Sequence, residues 1–170
     1  MTVTISSVER RLADLTAEVR NAISTGNDPE LIVRAVASHL RRHLPGPDIL
    51  TAEQRLGDPC HYLTHPLHVE PDGSFTIVAL VWRPGQRTRI HDHISWCVFG
   101  VIQGVEYEEL FDENLKPLGI NENYPGDVSG FAPPGDIHRV RNVGETTAIS
   151  LHIYGADLAR VASSVRRYYD

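Results

Sequence analysis

The segments Gly85–Gly104, GQRTRIHDHISWCVFGVIQG, and Gly126–Asn142, GDVSGFAPPGDIHRVRN, decide how the rest of this chain is read. In the first, one residue separates His91 from His93. Residues i and i+2 of a strand share a face, so both imidazoles can reach one point while Asp92 turns the other way. A bare His-x-His is a weak signal, because paired histidines on strands are commonly polar surface. Here Gly85, Cys97 and Gly104 bracket the pair. The second segment adds Gly126, Pro134, Gly135 and Asn142 around a third histidine, His138.

Outward from these segments the chain reads as many short strands. Phe75–Trp82 (FTIVALVW) is rich in β-branched and aromatic residues and follows a hairpin signal at Asp72-Gly73. Further strand-like runs lie around His91 and at Cys97–Ile102, Val105–Phe111, Asp127–Phe131, His138–Asn142 and Thr146–Tyr154. Short strands with frequent turns indicate a sandwich or small barrel rather than a parallel sheet with crossover helices. Within the last run, Ser150, His152 and Tyr154 alternate with Leu151 and Ile153, which puts the three polar side chains on one face.

The N-terminal part reads as helices. Val8, Leu12, Leu15, Val19 and Ile23 form one apolar stripe, with Ser6 or Ser7 as cap and Gly26 as stop. Asp28-Pro29 opens a second helix that carries Leu31, Ile32, Ala35, Val36, His39 and Leu40. Thr51-Ala52-Glu53-Gln54 predicts a capping box for one more short helix. The expected organisation is a mostly β single domain. Residues 1–57 are a helical segment packed on a barrel, and residues 58–170 are the barrel, with a return to helix over Ala156–Tyr169.

A chain of 170 residues suits one domain and needs neither disulfide nor metal merely to fold. Sixteen Lys and Arg against 22 Asp and Glu give a net charge of −6. That is not the electrostatic footprint of a nucleic-acid binder or a polybasic membrane binder. Two cysteines, Cys60 and Cys97, are too few for a disulfide framework or a four-cysteine zinc site. No apolar run approaches the ~20 residues that span a bilayer. The start, MTVTISSVERRLADL, has no basic region followed by an apolar run. The expectation is a cytoplasmic protein, monomeric or a small homo-oligomer, with no nucleic-acid or membrane partner.

The two glycine-bracketed segments resemble the paired signatures of the cupin superfamily, a small jelly-roll type β-barrel with a metal inside. The resemblance implies that His91, His93 and His138 are the metal ligands. The usual first signature has a glutamate ligand where this chain has Cys97, and cupins without it include the thiol dioxygenases. Ser150-x-His152-x-Tyr154 resembles the outer-sphere triad of the cysteine dioxygenase family, as do Phe75–Trp82, Pro84-Gly85 and Ile90–His93. Over about residues 60–155 the chain therefore resembles a cysteine dioxygenase-type thiol dioxygenase, including its bacterial 3-mercaptopropionate dioxygenase-like branch.

What this implies is chemically coherent. Iron(II) accepts imidazole ligands, and three neutral histidines leave its charge free to attract a thiolate. The implied reaction adds both atoms of O2 to the sulfur of a small thiol such as L-cysteine or 3-mercaptopropionate, giving a sulfinic acid. Tyr154 would donate a hydrogen bond to substrate or oxygen, with His152 and Ser150 orienting it. Cys97 matches the cysteine of a cysteine–tyrosine thioether in animal-type members, with Tyr154 as partner; a free, buried thiol is the alternative. Those enzymes hold the substrate carboxylate with an arginine just after a tyrosine, where this chain reads Tyr62-Leu63-Thr64-His65-Pro66. Arg160, Arg166, Arg167 and His65 remain as carboxylate candidates, with Arg89 next, and the preference between cysteine and 3-mercaptopropionate is expected to be relaxed. Two rival readings stay open. One is a three-histidine zinc or manganese cupin doing hydrolase or isomerase work with Glu106 or Glu108 as base. The other is a non-catalytic ligand-binding barrel.

Overall fold

The run at Phe75–Trp82 is apolar at every position because both of its faces are covered. In the computed structural model, which describes residues 6–170, it forms strand β2 (Thr76–Trp82), buried throughout. Met1–Ile5, with part of the N-terminal and leader readings, lie outside the described residues. Ile77, Ala79 and Val81 pack under two helices, α1 (Ser7–Ser24) and α2 (Pro29–His43), in one apolar cluster. Val78, Leu80 and Trp82 turn to the other side and line a cavity. The same alternation runs through β9 (Ala148–Tyr154): Ile149, Leu151 and Ile153 join the helix-side cluster, while His152 and Tyr154 line the cavity.

Antiparallel pairing builds two five-stranded sheets. The first is ordered β1 (Leu63–Val69), β2, β9, β4 (Cys97–Gln103), β7 (Val128–Phe131). The second is ordered β10 (Val165–Tyr168), β3 (His91–His93), β8 (His138–Asn142), β5 (Glu106–Phe111), β6 (Pro117–Asn123). The chain is thus mostly β, as expected, with its helices laid on the outer face of the first sheet. Among the described residues no helix is long and apolar enough to cross a membrane.

Local signals explain the helices. Ser6 caps α1 in a full capping box with Glu9, and Asp28 caps α2 with Pro29 behind it. Leu31, read as part of the α2 stripe, is instead exposed, and Val33 and Ala37 take the buried positions. Thr51 and Gln54 do exchange reciprocal bonds of 3.2 and 2.8 Å, but they cap only a 3-10 turn, Gln54–Leu56.

The C-terminal expectation is corrected. Ala156–Tyr169 is not a helix: one turn, α3 (Leu158–Val161), ends at Ala162 in the left-handed conformation, and β10 follows. The cause is non-local. The edge of β3 takes β10 as a partner, with Tyr168 opposite His91 and Val165 opposite His93. Asp92, buried on the face away from the histidines, binds the Arg166 guanidinium and accepts a 2.8 Å bond from the Tyr169 hydroxyl. Strands β1 and β6 were also not read as strands; β1 supplies the first arm of the hairpin whose turn carries Asp72-Gly73.

The signature residues Asn142 and Gly104 hold the frame rather than the site. Asn142 donates to the Trp82 and Thr146 carbonyls and accepts from Gly144, tying β8 and the β8–β9 turn to β2. Gly104 sits at φ +74, and a Cβ there would come within 2.7 Å of the Ala148 backbone. Strain and clash together make Gly104→Ala costly. We expect a loss of about 2 kcal/mol or more, read as a lower urea midpoint at unchanged m-value.

Candidate active site

His91 and His93 share the inner face of β3, and β8 places His138 directly opposite His91. All three rings are buried and form a compact triangle, with centroid separations of 4.7, 4.8 and 5.0 Å. One ligand atom from each lies within 4.8 Å of the others. The spacing seen in sequence thus assembles one cluster capable of holding a metal ion.

The hydrogen bonds decide which atoms face inward. His91 Nδ1 lies 2.8 Å from the Arg89 carbonyl, which can only accept, so Nδ1 carries the proton. His93 Nδ1 meets Asp136 Oδ2 at 3.0 Å, and His138 Nδ1 meets Glu108 Oε1 at 2.8 Å. Each imidazole therefore donates backward from Nδ1, leaving three Nε2 lone pairs for a metal. Burial, reinforced by the other two imidazoles, pushes His91 down to about 3, so it is neutral and ready to ligate. Burial also lowers His93, against the opposing pull of Asp136. Burial alone would raise Glu108 and Asp136, but their histidine bonds outweigh it and hold both below the ordinary carboxylate range.

The facing sheet brings the polar line. His152 Nε2 lies 2.9 Å from Ser150 Oγ, and its Nδ1 lies 3.2 Å from the Tyr154 hydroxyl. Trp82 Nε1–H donates to Ser150 Oγ at 3.3 Å. Phe99 stacks on the His152 ring at 5.2 Å, and burial lowers His152 to about 3, so it too is neutral. Cys97 is the register partner of Tyr154, and its Sγ lies 3.9 Å from His152 Nδ1. Burial raises the Cys97 thiol, with the Glu108 and Asp136 charges adding to it; burial, then Cys97, raises Tyr154. Both groups keep their protons at neutral pH.

A cavity of about 430 Å³ joins these groups, and its exposed lining residues include Thr64, Pro66, Ala162, Ser163 and Tyr168. The carboxylate candidates are not in it. Arg160 lies exposed on α3, Arg166 is engaged by Asp92 on the outer face, and Arg167 lies over the Tyr169 ring at 4.5 Å. Arg89 covers Tyr168 at 4.6 Å and pairs with Asp170. His65 falls between Thr64 and Pro66, which line the cavity, so it faces the other side of β1. The expectation that one of these groups holds a substrate carboxylate is thus not met by their positions. Asp136, Trp82 and the role of Glu108 behind His138 were missed. Glu108 had been legible only as an alternating acid, and Asp136 had no periodic signal.

Glu106 is the unexpected group. It is fully buried near Ser150 and Trp82, yet among the described residues neither carboxyl oxygen has a hydrogen-bond partner. Burial pushes it up to about 7.

Two sheets closed around three convergent imidazoles define the class: a three-histidine cupin with a polar Ser–His–Tyr line facing the ligands. Residues 58–167 match the cysteine dioxygenase type I family, and the chain belongs to it. Cysteine dioxygenase type 1 of Danio rerio is 37% identical over 100 residues, 50% of this chain and 47% of the relative. The Homo sapiens protein of that name is 34% identical over 97 residues, 49% of this chain and 46% of its own. The chain thus spans about half the length of the curated relatives it matches. Among solved structures, TT1209 from Thermus thermophilus aligns with a TM-score of 0.50 at 21% identity, covering 63% of this chain and 96% of that one. A conserved protein with a double-stranded β-helix domain from Klebsiella pneumoniae aligns with a TM-score of 0.50 at 16% identity, over 64% and 90%. Both show the fold.

Glu106 yields a signed expectation. Its pKa is raised on folding from 4.5 to about 7. The penalty is absent below the unfolded value, grows as pH rises through this window, and is constant above it. Glu106→Gln should therefore gain stability over wild type as pH rises from 5 to 8, by roughly 3 kcal/mol at most. Urea midpoints at a series of pH values check it; a pH-independent difference would contradict the buried acid.

Proposed function

We propose that the protein is a mononuclear iron(II) thiol dioxygenase that converts a small organic thiol and O2 to the sulfinic acid, acting in the cytoplasm. The observation that carries this is the pairing of three backward-donating imidazoles with the Cys97–Tyr154–His152–Ser150 line across one largely apolar cavity. His91, His93 and His138 would hold the ion through Nε2. Iron(II) held there would supply open coordination positions for thiolate and O2, while the four electrons that reduce O2 would come from the sulfur itself.

The chain's own residues do the remaining work. Tyr154, kept protonated by burial, donates a hydrogen bond into the cavity. His152 fixes the phenol's direction through Nδ1 and is itself held by Ser150, which Trp82 steadies. The apolar walls, Val78, Leu80, Phe131 and Val140, exclude water from the reacting sulfur. The direct register of Cys97 with Tyr154 supports a thioether between them as one state of the site and a buried thiol as the other. The zinc or manganese rival gains no support. Among the described residues no carboxylate lines the cavity, and Glu108 is committed to His138.

Two measurements test the reading. His138→Ala should lose iron and activity together, because two imidazoles alone do not hold the ion. Full iron occupancy in that variant would sink the ligand assignment. Tyr154→Phe should keep its iron but lose about ten- to a hundredfold in turnover, the range for one charge-assisted hydrogen bond. Wild-type turnover with unchanged sulfinate yield per O2 would remove Tyr154 from the mechanism.

A further inference from the structure

The cavity's charge is unlike that expected of a site for amino-acid or carboxylic-acid thiols. Among the described residues, no Lys or Arg lines it, and no Asp or Glu. Toward solvent its lining mixes the hydroxyls of Tyr62, Thr64, Thr88, Ser163 and Tyr168 with the apolar Pro66, Ala159 and Ala162. Two arginines close to lining residues are already engaged, Arg166 with Asp92 and Arg89 with the Tyr168 ring and Asp170.

The formal charges behind the site are negative. Glu108 and Asp136 sit directly behind two of the imidazoles, and both act on the Cys97 thiol as negative charges. A divalent ion at the three Nε2 atoms would be balanced by these two carboxylates. A bound thiolate takes the site to one net negative charge, and a carboxylate on the same substrate would add a second. No guanidinium or ammonium is positioned to meet it. Leaving a carboxylate unpaired against these buried charges and the apolar walls is costly, whereas a neutral amide or hydroxyl tail can bond the hydroxyls that line the cavity. The cavity of about 430 Å³, walled by Pro66, Val69, Leu80, Trp82 and Leu158, also leaves room for an uncharged, partly apolar tail.

We propose that this site selects thiols whose tail carries no carboxylate. The inference deepens the thiol-dioxygenase reading and rests on it. The test uses isosteric pairs that differ only in charge: 3-mercaptopropionamide against 3-mercaptopropionate, and L-cysteinamide against L-cysteine. With iron-loaded protein, each amide should exceed its acid at least tenfold in kcat/KM by O2 uptake, and at least tenfold in affinity by anaerobic titration. Thr64→Arg, which puts a guanidinium on the inner face of β1, should raise kcat/KM for both acids at least tenfold. A smaller wild-type ratio, or a preference for the acids, overturns the proposal and leaves the dioxygenase reading standing. If none of the four thiols consumes O2, the dioxygenase reading falls. The anaerobic affinities then decide the charge preference alone: a tenfold advantage for the amides upholds it and anything less overturns it.

Discussion

Everything at the centre of this molecule depends on three acceptors placed behind three imidazoles. The Arg89 carbonyl, Asp136 and Glu108 each take the Nδ1 proton of one histidine. Without them, either nitrogen of each ring could carry the proton, and the inward lone pairs would be lost in a fraction of the molecules. The arrangement is also demanding. Two carboxylates are buried for it, which is costly unless their charge is met by hydrogen bonds. Asp136 concentrates its bonds on Oδ2, which accepts from both the ring and the backbone N–H of His93, while its Oδ1 is buried with no partner among the described residues.

The tripeptide His91-Asp92-His93 carries a second constraint on its other face. Strand β3 is only three residues long and meets β8 at a single register pair, His91 with His138. Its other edge is supplied by β10, and the buried Asp92 carboxylate fastens that strand through Arg166 and Tyr169. Burial alone would raise Asp92, but these two bonds outweigh it and keep it ionised. Since Val165 and Tyr168 of β10 line the cavity, the residue between the two ligands positions part of the wall that encloses them.

Legibility in the sequence followed the range of the interactions. The alternations at His91–His93 and Ser150–Tyr154 were readable because a strand's period of two is local. So were a serine cap at the start of α1 and the reciprocal Thr51–Gln54 pair, although the latter precedes a 3-10 turn instead of the expected helix. The run at Phe75–Trp82 was legible as a strand from its β-branched and aromatic residues, and the structure adds that both of its faces are covered. By contrast β1 and β6 are partly exposed strands without apolar alternation, and β10 carries Arg166, Arg167 and Tyr168, with Tyr169 just beyond, which read equally well as a polar helix end. Its strand state comes from Asp92, 74 residues earlier, which no window could register. The same limit explains the arginines: chain order placed them near the site, but not on the face that lines it.

The burial of the cavity's inner wall and the sign of the charges behind it act together on the groups that face the ligands. Burial raises both the Cys97 thiol and the Tyr154 phenol, and Glu108 and Asp136 add to the effect at Cys97. His152 is lowered by burial and by the three neighbouring imidazoles, so it cannot serve as a cation that would stabilise a phenolate. Tyr154 therefore stays a donor. A fully buried neutral imidazole with one nitrogen on Ser150 and the other on Tyr154 has a single proton to place, and Tyr154 can donate into the cavity only when that proton sits on Nδ1. Ser150 must then donate to Nε2, which leaves its oxygen free to accept from Trp82 Nε1–H. The direction of Tyr154 is thus set three residues back, by a tryptophan on the neighbouring strand.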